Sequence, residues 1–141
     1  MRPRNIERWR TIEARLSRES TIWLSTVRRD GRPHLVPLWY IWFEGRIYFC
    51  TGSTSQKFVN MIGNQNVSLA LPDPGNVIII EGEAHTATRA VMDALAEHFF
   101  HKYEWDYRYD DSADWRLVEV TPFKMLVWGD GYDQQEGSRV L

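Results

Sequence analysis

Residues 33–71 constrain the chain more than any other stretch, because strand and turn signals alternate there and end in a polar loop that opens a helix. Leu35, Val36, Leu38, Trp39, Tyr40, Ile41, Trp42 and Phe43 form a nearly continuous apolar run. Such a run predicts a strand buried on both faces. Glu44-Gly45 follows as a two-residue hairpin turn, with glycine free to take a positive φ. Residues 46–51 then alternate, polar Arg46 and Tyr48 against apolar Ile47 and Phe49, which predicts a half-buried partner strand.

The loop Gly52-Ser53-Thr54-Ser55 is small and rich in hydroxyls, and residues 56–62 read as a short helix. Phe58, Met61 and Ile62 fall at i, i+3 and i+4 and are expected to face the core. Free N–H groups at a helix start attract anions, and phosphate is a common ligand there. Lys57 puts a cation in the first turn, where the helix dipole gains nothing from it. A bound anion would explain it. The other reading is a plain cap from Thr54 or Ser55 with a solvated lysine, and the residues alone leave both open.

On either side of this stretch the signals are local. Residues 5–18 form an amphipathic helix with Ile6, Trp9, Ile12 and Leu16 on its apolar face and Glu7, Arg8, Arg10, Glu13 and Arg15 outside. Arg2, Arg4, Arg8 and Arg10 make a basic patch, either a solvated face or a site for an anionic tail. Residues 20–28 form a strand that turns through Asp30-Gly31 into the next one. Pro37 cannot donate to a ladder, so a bulge or an edge is expected there. After the turn at residues 72–75 comes a strand at 76–87, with Gly82 as a bulge or close approach. Thr88 caps a helix to residue 102 on which Val91, Leu95 and Phe99 recur. Residues 103–114 are acidic and aromatic and read as a surface loop, with a lid as the sharper reading. Two closing strands, 115–121 and 123–128, are separated by Pro122, and the polar tail from Gly129 is expected to be loose. No repeat or linker divides the chain, so residues 1–141 are read as one domain.

Composition removes several classes of function. With 43% hydrophobic and 26% charged residues, the 141-residue chain is globular. A formal charge of −2 gives no pull toward nucleic acid, and no apolar run reaches bilayer length. The opening residues MRPRNIERWR lack an export signal's apolar region, and Cys50 is the single cysteine. Both features lead to the expectation of a cytoplasmic protein without disulfides. Cys50 lies in a strand and reads as an inert thiol; His34 and His85 read as structural. His98 and His101 are three apart on a helix, but no cysteine or carboxylate pattern joins them, so no metal is expected. No catalytic triad or Walker-type loop is present.

The residues VPLW, IYFCTGSTSQK and VSLAL, in this order of elements, resemble the pyridoxamine 5′-phosphate oxidase-like FMN-binding split-barrel family. The resemblance runs from about Thr21 to Trp128 and is strongest between Gly31 and Leu71. It implies a mainly β fold, a split β-barrel of about six strands with flanking helices, consistent with the succession of hairpin turns. It also implies an FMN-binding oxidoreductase that works as a homodimer, with a small-molecule substrate over the flavin ring at the subunit interface. Val36, Pro37, Leu38 and Trp39 would line the ring, and Trp128 would lie near it or at the dimer seam. Thr51, Ser55, Gln56 and Lys57 would hold the cofactor phosphate.

Gln56 stands where the family has arginine, which weakens that phosphate site. The family's basic C-terminal substrate motif has no counterpart in WGDGYDQQEGSRVL, so pyridoxamine phosphate oxidase activity itself is not expected. No catalytic side chain is identified, as suits a protein whose cofactor carries the redox chemistry. Two alternatives stay open: a reductase of the same fold using a deazaflavin coenzyme, whose acidic tail the basic N-terminal helix could meet, and a module that holds flavin or haem without turnover.

Overall fold

The computed structural model describes residues 6–129 and 138–139. Helix α1 (Ile6–Arg18) leads into β1 (Ile22–Val27), β2 (Pro33–Leu38), β3 (Ile41–Phe43) and β4 (Arg46–Gly52). Helix α2 (Gln56–Gly63), β5 (Asn66–Ala70), β6 (Asn76–Thr86), α3 (Arg89–Tyr103), β7 (Trp115–Gly129) and β8 (Ser138–Arg139) complete the described chain. Both expected turns are formed. Glu44 and Gly45 take φ of 50° and 77°, the paired positive values of a tight hairpin turn, and Gly31 takes 90°. The strands pair antiparallel in the order β2-β1-β5-β6-β7-β4-β3, with β8 added to β7. This curled sheet with its helices is a split barrel, mainly β as expected.

The main core fills the concave side of the sheet. Ile22 and Leu24 of β1, Phe49 of β4, Leu69 of β5, Ile80 of β6 and Val127 of β7 meet Ile12 and Leu16 of α1 there. A second cluster lies on the opposite face, where α3 sets Leu95, Ala96 and Phe99 against Ile41, Tyr48 and Leu117. β4 is therefore covered on both sides, and Ile47, Tyr48 and Phe49 are all buried. The alternation expected of a half-buried strand is overridden by α3, a partner nearly forty residues away in sequence.

The run from Leu35 to Phe43 is corrected in the opposite sense. It is two strands broken at Trp39-Tyr40, and β2 is an edge strand whose Leu35 remains 61% exposed. Pro37 suits that edge, because it withholds a donor the ladder does not need. Arg15, expected outside, is buried and donates to the Asn76 carbonyl. Ile6 is exposed, and so is Ile62 at 67%, so neither joins the core as expected. Residues 103–114 run mostly over the surface, as expected of a loop, with one short helical turn at Tyr107–Tyr109. Tyr107 is buried, donates to the Met92 carbonyl and holds the segment against α3. The basic residues Arg2 and Arg4, and the tail expected to be loose, lie outside the described residues except for Ser138-Arg139, which pair with Val127 and Leu126.

Pro122 does not end a strand either. β7 is continuous, and its register against β6 passes from Glu81↔Lys124 to Gly82↔Pro122, leaving Phe123 as the extra residue of a bulge. Before the bulge β7 pairs with β4; after it, that edge pairs with β8. Gly82 makes the close approach possible. A Cβ there would sit 2.5 Å from the Thr121 carbonyl oxygen and 2.9 Å from Val120 Cγ1. Gly82→Ala should therefore destabilise the fold by about 1–3 kcal/mol, because backbone rather than a flexible side chain must move. Urea unfolding measures this, and a variant as stable as the parent would show that the bulge can shift freely.

Candidate functional site

The polar loop folds into a helix start that carries Lys57 in its first turn. Ser55 caps α2, its Oγ accepting from the Phe58 N–H at 3.3 Å. The same oxygen lies 2.6 Å from Thr51 Oγ1, and Thr51 is buried. Thr51 thus supports the cap from below instead of facing solvent. The exposed Gln56 turns back along the helix and donates to Asn60 Oδ1 at 2.7 Å, while buried Asn60 donates to Thr26 Oγ1 at 2.9 Å. This chain of contacts ties α2 to β1, next to β2.

Lys57 is half-buried and has no carboxylate partner among the described residues. Burial alone pulls its pKa below the usual lysine value. A capped helix start beside a half-desolvated ammonium fits a phosphate in chemistry and position. One carboxylate does reach the loop: Asp114 Oδ2 accepts from Ser53 Oγ and from Arg116, both at 2.9 Å. Arg116 neutralises that carboxylate, so it does not close the loop to anions.

The ring-lining residues inferred from sequence are not on one face. β2 alternates: Val36 and Leu38 pack against the main core, while Pro37 and Leu35 point outward. Register carries the outward side across the sheet as Pro37, Trp23, Ala70, Ile79 and Leu126. Trp128, paired with Val77, lies further along the same face. Pro37 and Trp128 therefore share an apolar outer surface, whereas Ser55, Gln56 and Lys57 sit at the start of α2.

Trp39 stands apart, and the reason lies in α3. At the break between β2 and β3 the Tyr40 backbone leaves the ladder and is held by side chains. Tyr103 Oη accepts from the Tyr40 N–H at 2.9 Å, and Lys102 Nζ donates to the Tyr40 carbonyl at 3.0 Å. These substitute for the missing ladder bonds. Trp39 then stacks on Tyr103, with centroids 4.7 Å apart and planes 8° from parallel. Beyond it, Trp105 and Trp115 complete an aromatic wall that sequence reasoning missed. The clustering of Tyr103, Trp105, Tyr107 and Tyr109 was its only signal in the sequence.

Lys102 gives this anchor a pH signature. Burial lowers its pKa from 10.5 to about 8. Between those values the unfolded chain holds a proton that the folded chain has lost, so this group's contribution to stability rises with pH. Cys50 and Tyr103, both pushed up to about 12 by burial, act with the opposite sign above their ordinary values. The clean observable is the melting temperature of the parent minus that of Lys102→Met. This difference should increase from pH 8 to pH 10.5. A flat difference would mean that Lys102 titrates as an exposed lysine.

A family model described as pyridoxamine 5′-phosphate oxidase matches residues 9–129. The fold is a mainly β split barrel. The chain belongs to the pyridoxamine 5′-phosphate oxidase family. No curated protein sequence matches it. Among solved structures, an F420 reductase is 24% identical, with a TM-score of 0.68 over 80% of this chain and 94% of that one. General Stress Protein 26 from Bacillus anthracis is 20% identical, with a TM-score of 0.67 over 84% of this chain and 92% of that one. A heme binding protein from Mycobacterium smegmatis is 20% identical, with a TM-score of 0.73 over 97% of this chain and 60% of that one. At these identities the likeness shows the fold. Among the described residues no helix is long and apolar enough to cross a membrane, and no three metal-ligating side chains cluster.

Proposed function

We propose that this chain is an FMN-binding oxidoreductase acting on a small molecule. The observation that carries the reading is Lys57, half-buried at a Ser-capped helix start and without an ion-pair partner among the described residues. Lys57, the Ser55 hydroxyl and the first N–H groups of α2 would hold the phosphate, with Thr51 bracing Ser55. Pro37 and Trp128 would border the ring on the outer face of the sheet. When bound, the flavin supplies the hydride or electron transfer; the chain's own residues bind and orient it and exclude water.

The apolar row from Pro37 to Leu126 supports a homodimer in which a second copy covers that face and closes the cofactor cleft. Sedimentation of the loaded protein at micromolar concentration tests this, and a monomer that still holds cofactor would sink the dimer.

One observation favours a second reading, a deazaflavin-dependent reductase. Gln56, which stands where the resemblance places an arginine, is engaged with Asn60, so Lys57 is the cation the loop offers. Absorbance of the purified protein and mass spectrometry of the ligand released on denaturation distinguish the two. FMN supports the first reading, a deazaflavin the second. A Soret band with neither would overturn both.

A further inference from the structure

On the convex side of the sheet, between β4 and the segment after α3, lies a cavity of about 360 Å³. Trp39, Cys50, Phe99, Trp105, Asp110 and Trp115 line it. It exceeds the roughly 150 Å³ that admits benzene and falls within the range of small-molecule sites. Its walls are aromatic and steeply inclined to one another. The Trp105 ring meets Trp115 at 76° with centroids 5.1 Å apart, and Trp39 at 65° with centroids 6.3 Å apart. Trp39 stacks one face on Tyr103, and among the described residues no ring stacks on its other face.

The one formal charge in the lining is Asp110. Its carboxylate accepts from Trp105 Nε1 at 2.8 Å, from the Ser112 N–H at 2.9 Å and from Ser112 Oγ at 2.5 Å. These bonds hold its pKa down to about 2, so it is an anion at any working pH. The Trp115 N–H helps lower it without reaching hydrogen-bond geometry. The Cys50 thiol stays neutral, its pKa raised by burial.

The surroundings add to the negative field. Residues 103–114 carry Glu104, Asp106, Asp110, Asp111 and Asp114 with one cation of their own, Arg108, and Arg116 just beyond them neutralises Asp114. The Arg108 guanidinium is spent on Asp106 at 2.7 Å and Glu97 at 3.1 Å.

An anion would be repelled here. A neutral apolar ligand would fit the walls but draw nothing from the carboxylate. A cation with an apolar coat uses both, through the ring faces and through Asp110. We propose that this cavity binds an organic cation, a methylated or otherwise substituted ammonium group, with the tryptophans as its cage and Asp110 as its counter-charge. None of the phosphate-loop residues lines the cavity, nor does Pro37 or Trp128. The inference therefore stands whichever cofactor the chain holds.

The test compares two probes of equal shape, choline and 3,3-dimethylbutan-1-ol, in which a carbon replaces the charged nitrogen. Full-length protein is titrated with each at constant ionic strength, following tryptophan fluorescence and heat. Choline should bind roughly ten-fold more tightly than the alcohol, the size of a cation–π advantage in a partly desolvated site. Asp110→Asn should shrink that ratio to about three-fold or less, since the charge goes while one carbonyl acceptor stays. Trp39→Ala guards against a folding artefact, because Trp39 is 52% exposed. It should weaken choline while leaving a cooperative melt. Equal binding of the two probes, no response to either, or a folded Trp39→Ala that binds choline like the parent would each overturn the proposal.

Discussion

Lys57→Ala should weaken FMN binding by roughly 10- to 100-fold, while the melting temperature of the ligand-free protein stays level or rises slightly. A hydrogen bond to a charged partner is worth on the order of 1.5–3 kcal/mol, and about 1.4 kcal/mol is a factor of ten. The second half of the expectation follows from burial. In the free protein the Lys57 ammonium is partly desolvated with no ion-pair partner among the described residues, so its removal should cost the fold little. Binding and stability should thus move in different directions, which a merely structural lysine would not produce. Gln56→Arg adds a second cation at an exposed position and should tighten FMN. Fluorescence titration of both variants against the parent reads these effects. If Lys57→Ala binds FMN as the parent does, the phosphate lies elsewhere. If Gln56→Arg changes nothing, the deazaflavin reading gains ground.

The features legible in the sequence are those whose cause lies within a few residues. Glu44-Gly45 and Gly31 announce their turns because a positive φ is a local requirement. Ser55 announces its cap because the acceptor and its N–H are three residues apart. Gly82 announces a close approach because only glycine avoids the Thr121 carbonyl.

What was misread depends on partners far along the chain. The run at 35–43 looks like one buried strand until Lys102 and Tyr103, some sixty residues on, take the Tyr40 backbone out of the ladder. β4 looks half-exposed until α3 covers it. Pro122 looks like a strand end because its missing donor is visible, whereas the bulge that absorbs it is a property of the pairing with β6. The candidate site divides along the same line. The cation at the helix start could be read from Ser55 and Lys57 alone. The aromatic wall needed the full length of α3 and the folded-back segment after it.

That wall predicts the largest loss of stability. Phe99→Ala should destabilise the protein by about 3–5 kcal/mol, the usual cost of truncating a buried aromatic. Phe99 is fully buried, and its ring lies between Tyr107, with centroids 5.6 Å apart, and Trp105 and Tyr103, at 6.3 and 6.4 Å. It also forms part of the wall of the 360 Å³ cavity, so truncation opens one continuous void instead of a small one that neighbours could close. For a chain of this size the melting temperature should fall by roughly 10–15 °C. Phe100→Ala is the control. It makes the same change one position along the helix, at a side chain left 48% exposed, and should stay within about 1 kcal/mol of the parent. Guanidinium unfolding of the three proteins separates packing from helix propensity, because propensity would shift both variants alike. Comparable losses in the two would mean that α3 is held by its own helicity. The expected asymmetry would mean that it is held by the aromatic cluster, and that the Tyr40 anchor and Trp39 depend on that cluster as well.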